Sequence, residues 1–171
     1  MKQLIMGGAR SGKSHYAQQQ AQASGKPVIY VATATAGDDE MLQRILLHKQ
    51  QRPAYWTVIE EPLALSSVLL ENDKAGGCLL VDCLTLWLSN QLTENEVVIK
   101  DVQEELVNTV CDLKSDVLLV SNEVGQGIVP ENKLARKFID ESGRLHQRLA
   151  QVCEEVVFVT AGIPQKLKSE K

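Results

Sequence analysis

Several features typical of other protein classes are missing from this sequence. Its apolar runs, such as Cys78–Val81 and Val117–Val120, are strand-sized, whereas a helix that spans a bilayer needs about 20 apolar residues. Its formal net charge is −4, so no overall positive field attracts nucleic acid. No basic stretch followed by an apolar one, the pattern of a secretion signal, opens the chain. We therefore expect a cytoplasmic protein that neither inserts into membranes nor binds nucleic acid.

The patterns of zinc sites and disulfide frameworks are also missing. Four cysteines are scattered without a C-x-x-C pair, and the three histidines lie far from them in sequence. This spacing argues against a structural zinc site and against a disulfide framework. We expect free, buried thiols instead. The cysteines are Cys78, Cys83, Cys111 and Cys153.

What the sequence does contain is the pattern of an α/β domain. A chain of 171 residues with 44% apolar and 23% charged residues is typical of a globular domain, and we predict one catalytic domain over residues 1–171. Short apolar runs alternate with longer segments of helical period, which favours a parallel sheet with crossover helices. Because several strands are apolar throughout, both faces of the sheet should be covered. The prediction is a three-layer α/β/α fold with a mostly parallel sheet.

The element boundaries follow from these runs and from Gly and Pro residues. The predicted strands are Gln3–Met6, Val28–Ala32, Thr57–Glu60, Cys78–Asp82, Asp116–Ser121 and Val156–Thr160. The predicted helices are Lys13–Ser24, Asp39–Gln51, Leu63–Glu71, Val97–Leu113 and Asn132–Val152. The charged tail Lys166–Lys171 is expected to fray.

A phosphate-binding loop follows the first predicted strand. Residues 7–14 read G-G-A-R-S-G-K-S, which matches G-x-x-x-x-G-K-[ST] between a strand and a helix. In such a loop, backbone N–H groups at a helix N-terminus hold the phosphates, Lys13 reaches the β- and γ-phosphates, and Ser14 ligates Mg²⁺. The alternative is a chance glycine turn before a helix. The predicted phosphate-binding residues are Gly7, Gly8, Ala9, Arg10, Ser11, Gly12, Lys13 and Ser14.

A carboxylate is expected on the metal side of such a loop, at the end of another apolar strand. Asp82 ends the run Leu79–Val81 and is therefore predicted to hold Mg²⁺ together with Ser14. The alternative is that Asp82 only ends its strand or caps a helix that begins near Leu84. The loop does not distinguish a kinase from a GTPase or a motor, and the guanine-reading motif N-K-x-D is absent.

One of the three histidines, His48, is a candidate for chemistry beside the phosphates. Arg44, His48 and Arg52 are spaced i, i+4, i+8 and so share one helix face. A neutral imidazole near an NTP can form a covalent nucleotidyl intermediate, and the alternative is a solvated basic face. His15 follows the phosphate loop, where a partly exposed position is expected. His146 lies in a polar stretch of the last long helix, and either a surface role or a role at the edge of the substrate fits it there.

A second glycine loop, S-N-E-V-G-Q-G-I-V-P at residues 121–130, follows the predicted strand Asp116–Ser121. In open α/β sheets, ligands bind at the carboxyl ends of strands, so this loop is a candidate for substrate contact. The alternative is an ordinary connection. On the next helix, Arg136, Asp140 and Arg144 recur at i, i+4, i+8 and form either a salt-bridged face or a phosphate-facing one.

Together these segments resemble one enzyme family, the bifunctional adenosylcobinamide kinase/adenosylcobinamide-phosphate guanylyltransferases of cobalamin biosynthesis. The resemblance runs from the first strand to the last. The run H-x-x-x-R-P-x-x-W and the run N-E-V-G-x-G-I-V-P are far more specific than the phosphate loop. The matching segments are residues 7–14, Tyr30–Thr33, Asp38–Met41, Arg44–Trp56, Asp82–Thr85, Asn122–Asn132 and Ala135–Ala150.

The resemblance implies a RecA-like P-loop NTPase domain that assembles as a homotrimer and uses Mg²⁺ with GTP or ATP. An NTP would phosphorylate the aminopropanol hydroxyl of adenosylcobinamide, and GTP would then donate GMP to that phosphate. The guanylylated histidine of the family falls on His48. The implied GTP contacts are the phosphate loop with Ala32, Thr33, Ala34, Lys49, Gln50, Gln51, Arg52, Glu60 and Asp82.

Two departures from the family pattern matter. Some relatives have two adjacent histidines where this chain has Leu47-His48, so only His48 can be the nucleophile here. His146 stands where an Asn is expected. Two other functions also use the phosphate loop: a monofunctional small-molecule kinase, which would not need His48, and a regulatory P-loop switch with a protein partner. The sequence has no long interaction tail for the second of these.

Overall fold

The computed structural model describes residues 1–35, 52–93 and 98–169. Within these residues, seven strands form one sheet and five helices surround it. The strands are β1 (Lys2–Gly7), β2 (Val28–Ala32), β3 (Thr57–Glu60), β4 (Cys78–Asp82), β5 (Asp116–Asn122), β6 (Glu155–Thr160) and β7 (Ile163–Ser169). The helices are α1 (Lys13–Ala23), α2 (Leu65–Glu71), α3 (Leu84–Thr93), α4 (Ile99–Asp112) and α5 (Lys133–Val152).

The strand order of the sheet is β3-β2-β4-β5-β1-β6-β7. The first six strands in this order run parallel, and β7 is antiparallel to β6. Gly7 at the end of β1 pairs with Asn122 at the end of β5, and Ala32 at the end of β2 lies between Glu60 and Asp82. The carboxyl ends of five parallel strands therefore line one edge of the sheet, where ligands of such folds bind.

The core consists of two apolar clusters, one on each face of the sheet. Alternate strand residues point to opposite faces, so Leu4 and Leu79 pack with the helices α2 to α5, whereas Ile5 and Leu80 pack with α1. Because residues facing either side of the sheet are apolar, these strands appear in the sequence as continuous apolar runs. The predicted three-layer α/β/α fold with a mostly parallel sheet is confirmed.

Two elements differ from the sequence-based expectation. Helix α3 was not among the predicted helices. Its buried face includes the polar residues Thr85 and Gln91, while Leu86 lies on the opposite side, so its apolar residues show no clear amphipathic period. The expected fraying is wrong for Lys166–Ser169, which form part of edge strand β7. The predicted helix Asp39–Gln51 lies outside the described residues.

Strand β7 pairs with β6 through the backbone, and two of its lysines make further contacts. Lys166 forms an ion pair of 3.0 Å with Glu155 on β6, and the Lys168 ammonium donates a hydrogen bond of 2.7 Å to the carbonyl of Cys153. Charged residues are common on edge strands because they discourage pairing with other chains, so a lysine-rich segment is compatible with a strand at this position.

All four cysteines are free, as predicted, but the expectation that they are buried is wrong for Cys111, which is exposed. Of the described helices, none is both long enough and apolar enough to cross a membrane.

Candidate nucleotide-binding site

The phosphate loop lies between the end of β1 and the start of α1. Gly12 precedes α1 with φ of 94°, a left-handed conformation that favours glycine. A Cβ on Gly7 would lie 2.4 Å from the carbonyl oxygen of Val159, so no side chain fits there. The Gly162 N–H donates a hydrogen bond of 2.8 Å to the Ser11 carbonyl. Contacts with β6 and with the turn after it therefore maintain the conformation of the phosphate loop.

Lys13 is buried at the start of α1. Its ammonium donates a hydrogen bond of 3.1 Å to the Gly8 carbonyl. Burial lowers the pKa of Lys13, while the charges of Cys83 and Asp82 act to raise it. In the sheet, only β5 separates β4 from β1, so the carboxyl end of β4 lies at the same edge as the phosphate loop, which is the arrangement that the sequence predicts for a loop lysine and a metal-side carboxylate.

Asp82, Tyr30 and Arg52 form a chain of contacts across the ends of β2 and β4. The Tyr30 hydroxyl donates a hydrogen bond of 2.8 Å to Oδ2 of Asp82. The Arg52 guanidinium carbon lies 3.7 Å from the centre of the Tyr30 ring, within the range of a cation–π contact. Trp56 stacks on Tyr30 with ring centres 6.5 Å apart. The structure thus connects two predicted site residues, Asp82 and Arg52, through Tyr30.

Tyr30 is a member of this site that the sequence reasoning missed. In the sequence, Tyr30 is one residue of the apolar run that forms β2, and its neighbours do not distinguish it from an aromatic residue of the core. Burial, followed by the charge of Asp82, raises the pKa of Tyr30 well above its usual value. The phenol therefore stays protonated and acts as a donor to the carboxylate.

The Thr33 hydroxyl both donates and accepts a hydrogen bond within the protein. Its Oγ1 donates a hydrogen bond of 2.7 Å to the Cys83 carbonyl and accepts one of 2.9 Å from the Cys83 N–H. The Asn90 amide donates to the Thr33 carbonyl at 2.9 Å. These bonds fix the backbone of the predicted nucleotide-binding segment 32–34 against the start of α3, so Thr33 positions that segment.

An open cavity of about 340 Å³ lies beside the end of β3. Two of the predicted nucleotide-binding residues, Arg52 and Glu60, line it together, and Glu60 is next to Ala32 in the sheet. The other lining residues are Pro53, Ala54, Trp56 and Val58. The predicted site residues His48, Lys49, Gln50 and Gln51, together with Arg44, lie outside the described residues.

The residues predicted to hold Mg²⁺ provide oxygen donors at the right edge of the sheet. Ser14 lies in the first turn of α1 and Asp82 at the end of β4, and both are half-buried. In the part of the chain that the structure describes, no group of three or more His, Cys, Asp or Glu side chains could hold a metal on its own. Mg²⁺ is usually bound by one or two protein oxygens together with phosphates and water, and this donor set fits that pattern.

The second glycine loop follows β5 at the same edge. The Glu123 N–H donates a hydrogen bond of 3.0 Å to the Gly7 carbonyl, which ties the loop to the phosphate loop. Its tip is apolar and exposed, with Ile128 at 97% and Val129 at 72% exposure. Arg136 donates to the Pro130 carbonyl at 3.1 Å, and Arg144 forms an ion pair with Glu141. These two arginines therefore bind protein groups.

His146 is buried, with 7% of its surface exposed, so the surface role, one of the two alternatives for this residue, is wrong. Its Nε2 lies 2.7 Å from the Ser121 hydroxyl, and its Nδ1 lies 4.0 Å from the Glu123 carboxylate. Burial lowers the pKa of His146, and the charge of Glu123 partly opposes this effect. The i, i+3, i+4, i+7 spacing of the buried residues Ser142, Leu145, His146 and Leu149 would have indicated burial. His15 is exposed, as predicted.

Comparison with known proteins identifies similar sequences over almost the whole chain. The sequence profile of a family described as cobinamide kinase / cobinamide phosphate guanyltransferase matches residues 3–167. The bifunctional adenosylcobalamin biosynthesis protein CobP of Pseudomonas aeruginosa is 50% identical, with 99% of each chain covered. The bifunctional adenosylcobalamin biosynthesis protein CobU of Salmonella typhimurium is 40% identical, with 96% of this chain and 98% of that protein covered.

Solved structures with low sequence identity share the fold. The flagellar accessory protein FlaH of Methanocaldococcus jannaschii superposes with a TM-score of 0.55 at 15% identity, covering 99% of this chain and 78% of that one. The RadB recombinase superposes with a TM-score of 0.52 at 13% identity, covering 92% of this chain and 73% of that one. These similarities support the P-loop NTPase fold.

Proposed function

The chain belongs to the cobinamide kinase / cobinamide phosphate guanyltransferase family, and from that premise we propose that it catalyses two successive reactions. In the first, an NTP phosphorylates the aminopropanol hydroxyl of adenosylcobinamide. In the second, GTP donates GMP to the new phosphate, which gives adenosylcobinamide-GDP and pyrophosphate. The observation that carries the proposal is the meeting of the phosphate loop, Asp82 and Arg52 at one edge of the sheet.

In the kinase step, the phosphate loop and Lys13 would hold the triphosphate. The substrate hydroxyl attacks the γ-phosphorus, the bond to the bridging oxygen breaks, and the nucleoside diphosphate leaves. Little covalent chemistry is required of the protein in such a reaction, so positioning and charge neutralisation account for most of the catalysis. A buried lysine that donates a hydrogen bond to a carbonyl of the loop is well placed for both roles.

In the second reaction, we propose that His48 attacks the α-phosphorus of GTP. The bond from this phosphorus to the bridging oxygen breaks, pyrophosphate leaves, and GMP is bound to the imidazole through a P–N bond. A phosphate oxygen of adenosylcobinamide-phosphate then attacks the same phosphorus and releases His48. Arg52 would stabilise negative charge on the nucleotide, since its guanidinium lies at the cavity that Glu60 also lines.

Mg²⁺ is the proposed cofactor, with Ser14 and Asp82 as its protein ligands beside the phosphates. When bound, it would neutralise charge on the phosphates. Asp82 is oriented for this role by Tyr30, which donates a hydrogen bond to only one of the two carboxylate oxygens, Oδ2. The other oxygen can then face a metal-bound water or the metal itself.

The remaining proposals concern the form of the protein. We propose one catalytic domain over residues 1–171, because a single sheet includes strands from Lys2 to Ser169. We propose a homotrimer in the cytoplasm on the basis of the family resemblance and of the sequence patterns described above. The proposed small-molecule partners are adenosylcobinamide and GTP or ATP.

Covalent capture of GMP tests the role of His48. The protein is incubated with α-labelled GTP and Mg²⁺, denatured, and assayed for protein-bound label that is lost in acid, as expected of a P–N bond. We expect label on the wild type and on a His15→Ala control, whose histidine is exposed and beside the phosphate loop, and no label on His48→Ala. Label that persists in His48→Ala would rule out His48 as the nucleophile.

A further inference from the structure

Tyr30 makes two different contacts through two different parts of its side chain. The hydroxyl donates to Asp82 Oδ2 at 2.8 Å, and the face of the ring lies 3.7 Å from the guanidinium carbon of Arg52. The residue is 1% exposed, so its ring is fixed by packing. Asp82 belongs to β4, whereas Arg52 precedes β3, on the far side of β2 in the sheet.

We propose that Tyr30 is a positioning residue that sets the metal-side carboxylate of Asp82 and the nucleotide-side guanidinium of Arg52 relative to each other. The proposal deepens the proposed function and rests on it. It assigns two roles to Tyr30: the phenol oxygen orients the carboxylate, and the ring supports the guanidinium from its face.

The geometry at Arg52 supports a role in ligand binding. A guanidinium that stacks on a ring leaves the N–H groups in its own plane free to donate. Nε and Nη1 of Arg52 are buried and have no hydrogen-bond partner in the described part of the chain. Buried donors are nearly always paired, so these two N–H groups point to an acceptor on a bound nucleotide, and the Tyr30 ring determines where they lie.

The geometry at Asp82 supports a role distinct from core packing. A buried tyrosine hydroxyl needs a partner, but a backbone carbonyl would satisfy it equally well. Here the acceptor is the side chain at the end of β4, next to the phosphate loop, and the hydrogen bond occupies one carboxylate oxygen. The bond therefore fixes the rotation of the carboxylate, which determines the direction of its other oxygen.

Tyr30→Phe tests the hydroxyl, because it keeps the ring and the core volume. GTP binding is followed through the change in tryptophan fluorescence, since Trp56 stacks on Tyr30, first in EDTA and then with increasing Mg²⁺. We expect unchanged affinity in EDTA, and about a tenfold higher Mg²⁺ concentration for the half-maximal increase in GTP affinity, because one charge-assisted hydrogen bond is lost. Tyr55→Phe, at an exposed tyrosine, is the matched control and should titrate like the wild type.

Tyr30→Leu tests the ring. We expect it to lower GTP affinity already in EDTA, by about fivefold, because Arg52 loses its cation–π support. If the ring acts through Arg52, the double variant Tyr30→Leu/Arg52→Ala should bind GTP no more weakly in EDTA than Arg52→Ala alone. If the double variant loses GTP affinity by the product of the two single-variant losses, the ring does not act through Arg52 and this part of the proposal is overturned.

The two proposals fail in different ways. If the wild type shows no Mg²⁺-dependent GTP binding, the proposed function is wrong. If the wild type binds GTP with Mg²⁺ and Tyr30→Phe titrates identically to it, Tyr30 only packs the core and the positioning role is refuted, while the proposed function stands. Tyr30→Phe keeps the shape of the side chain, so this comparison holds even if Tyr30→Leu does not fold.

Discussion

The ammonium of Lys13 donates a hydrogen bond of 3.1 Å to the carbonyl of Gly8, five residues earlier in the phosphate loop. The bond keeps a buried positive charge directed at the inside of the loop, at the edge of the sheet where Asp82 also lies. A triphosphate in the loop would take over this donor. Lys13 is therefore a residue on which both proposed reactions depend.

Lys13→Ala should lower the rates of both phosphorylation and GMP transfer by at least about a hundredfold, because one preorganised positive charge at the phosphates is lost. Product formation from adenosylcobinamide and GTP measures both rates. Lys100→Ala removes an exposed lysine of α4 and should keep wild-type rates. If Lys13→Ala retains near wild-type turnover, the residues of the loop do not bind the phosphates as proposed.

Gly7→Ala should lower the free energy of unfolding by about 1–3 kcal/mol, because the new methyl group would overlap the Val159 carbonyl oxygen, 2.4 Å away. Gly143→Ala should instead raise it by about 0.5–1 kcal/mol, since Gly143 is inside α5, no atom lies within 4 Å of the added Cβ, and alanine favours helix. Urea denaturation of both variants measures the contrast. Equal effects would contradict the close packing at Gly7.

Asp73→Ala should lower the free energy of unfolding by about 1–3 kcal/mol. The carboxylate accepts hydrogen bonds from the backbone N–H groups of Lys114 and Ser115, at 3.0 and 2.8 Å, and from the Ser115 hydroxyl at 2.8 Å. These bonds join the α2–β4 connection to the start of β5. Asp112→Ala removes an exposed carboxylate from the last turn of α4, where the helix dipole disfavours it. Asp112→Ala should not destabilise the protein. A similar loss of unfolding free energy in both variants would contradict the stabilising role of the Asp73 hydrogen bonds.

The hydrogen bonds to Asp73 also predict a dependence on pH. Burial would raise the pKa of Asp73, but the hydrogen bonds from Lys114 and Ser115 outweigh it and hold the pKa below the usual value of 3.8. The stabilisation by Asp73 is therefore fully present above that value and is lost as the pH falls through the lower, folded-state pKa. Asp73→Ala and the wild type should converge in stability in strong acid, which thermal unfolding at several pH values measures.

His146 predicts a second pH effect, in a range closer to neutral. Burial lowers the pKa of His146 below its usual 6.5, so just below that pH the unfolded chain binds a proton that the folded one does not. Stability is therefore lost as the pH falls from 6.5 to the lower pKa of the folded state. Between about pH 7.5 and about pH 5.5, the wild type should lose more stability than His146→Gln. His15→Gln, at an exposed histidine, should behave like the wild type, and equal losses in all three proteins would contradict the burial effect.

The sequence predicted most of the six parallel strands because their side chains are apolar on both faces of the sheet, and it predicted the exposed edge strand β3 from the short β-branched run Thr57–Ile59. It predicted the phosphate loop because Gly7 and Gly12 are required by the backbone itself. It did not reveal β7, whose lysines resemble a solvated tail until Glu155 and the Cys153 carbonyl are brought next to them. Local sequence patterns also did not reveal the role of Tyr30, because its contacts with Asp82 and Arg52 join residues that lie far apart in the chain.

The most direct test of the account is the turnover of adenosylcobinamide with GTP and Mg²⁺ by the wild type and by His48→Ala, with the phosphorylated and the GDP-linked products separated. The account predicts that the wild type forms adenosylcobinamide-GDP and that His48→Ala stops at adenosylcobinamide-phosphate. A wild type that forms no phosphorylated corrinoid, or a His48→Ala variant that still forms the GDP-linked product, would contradict it.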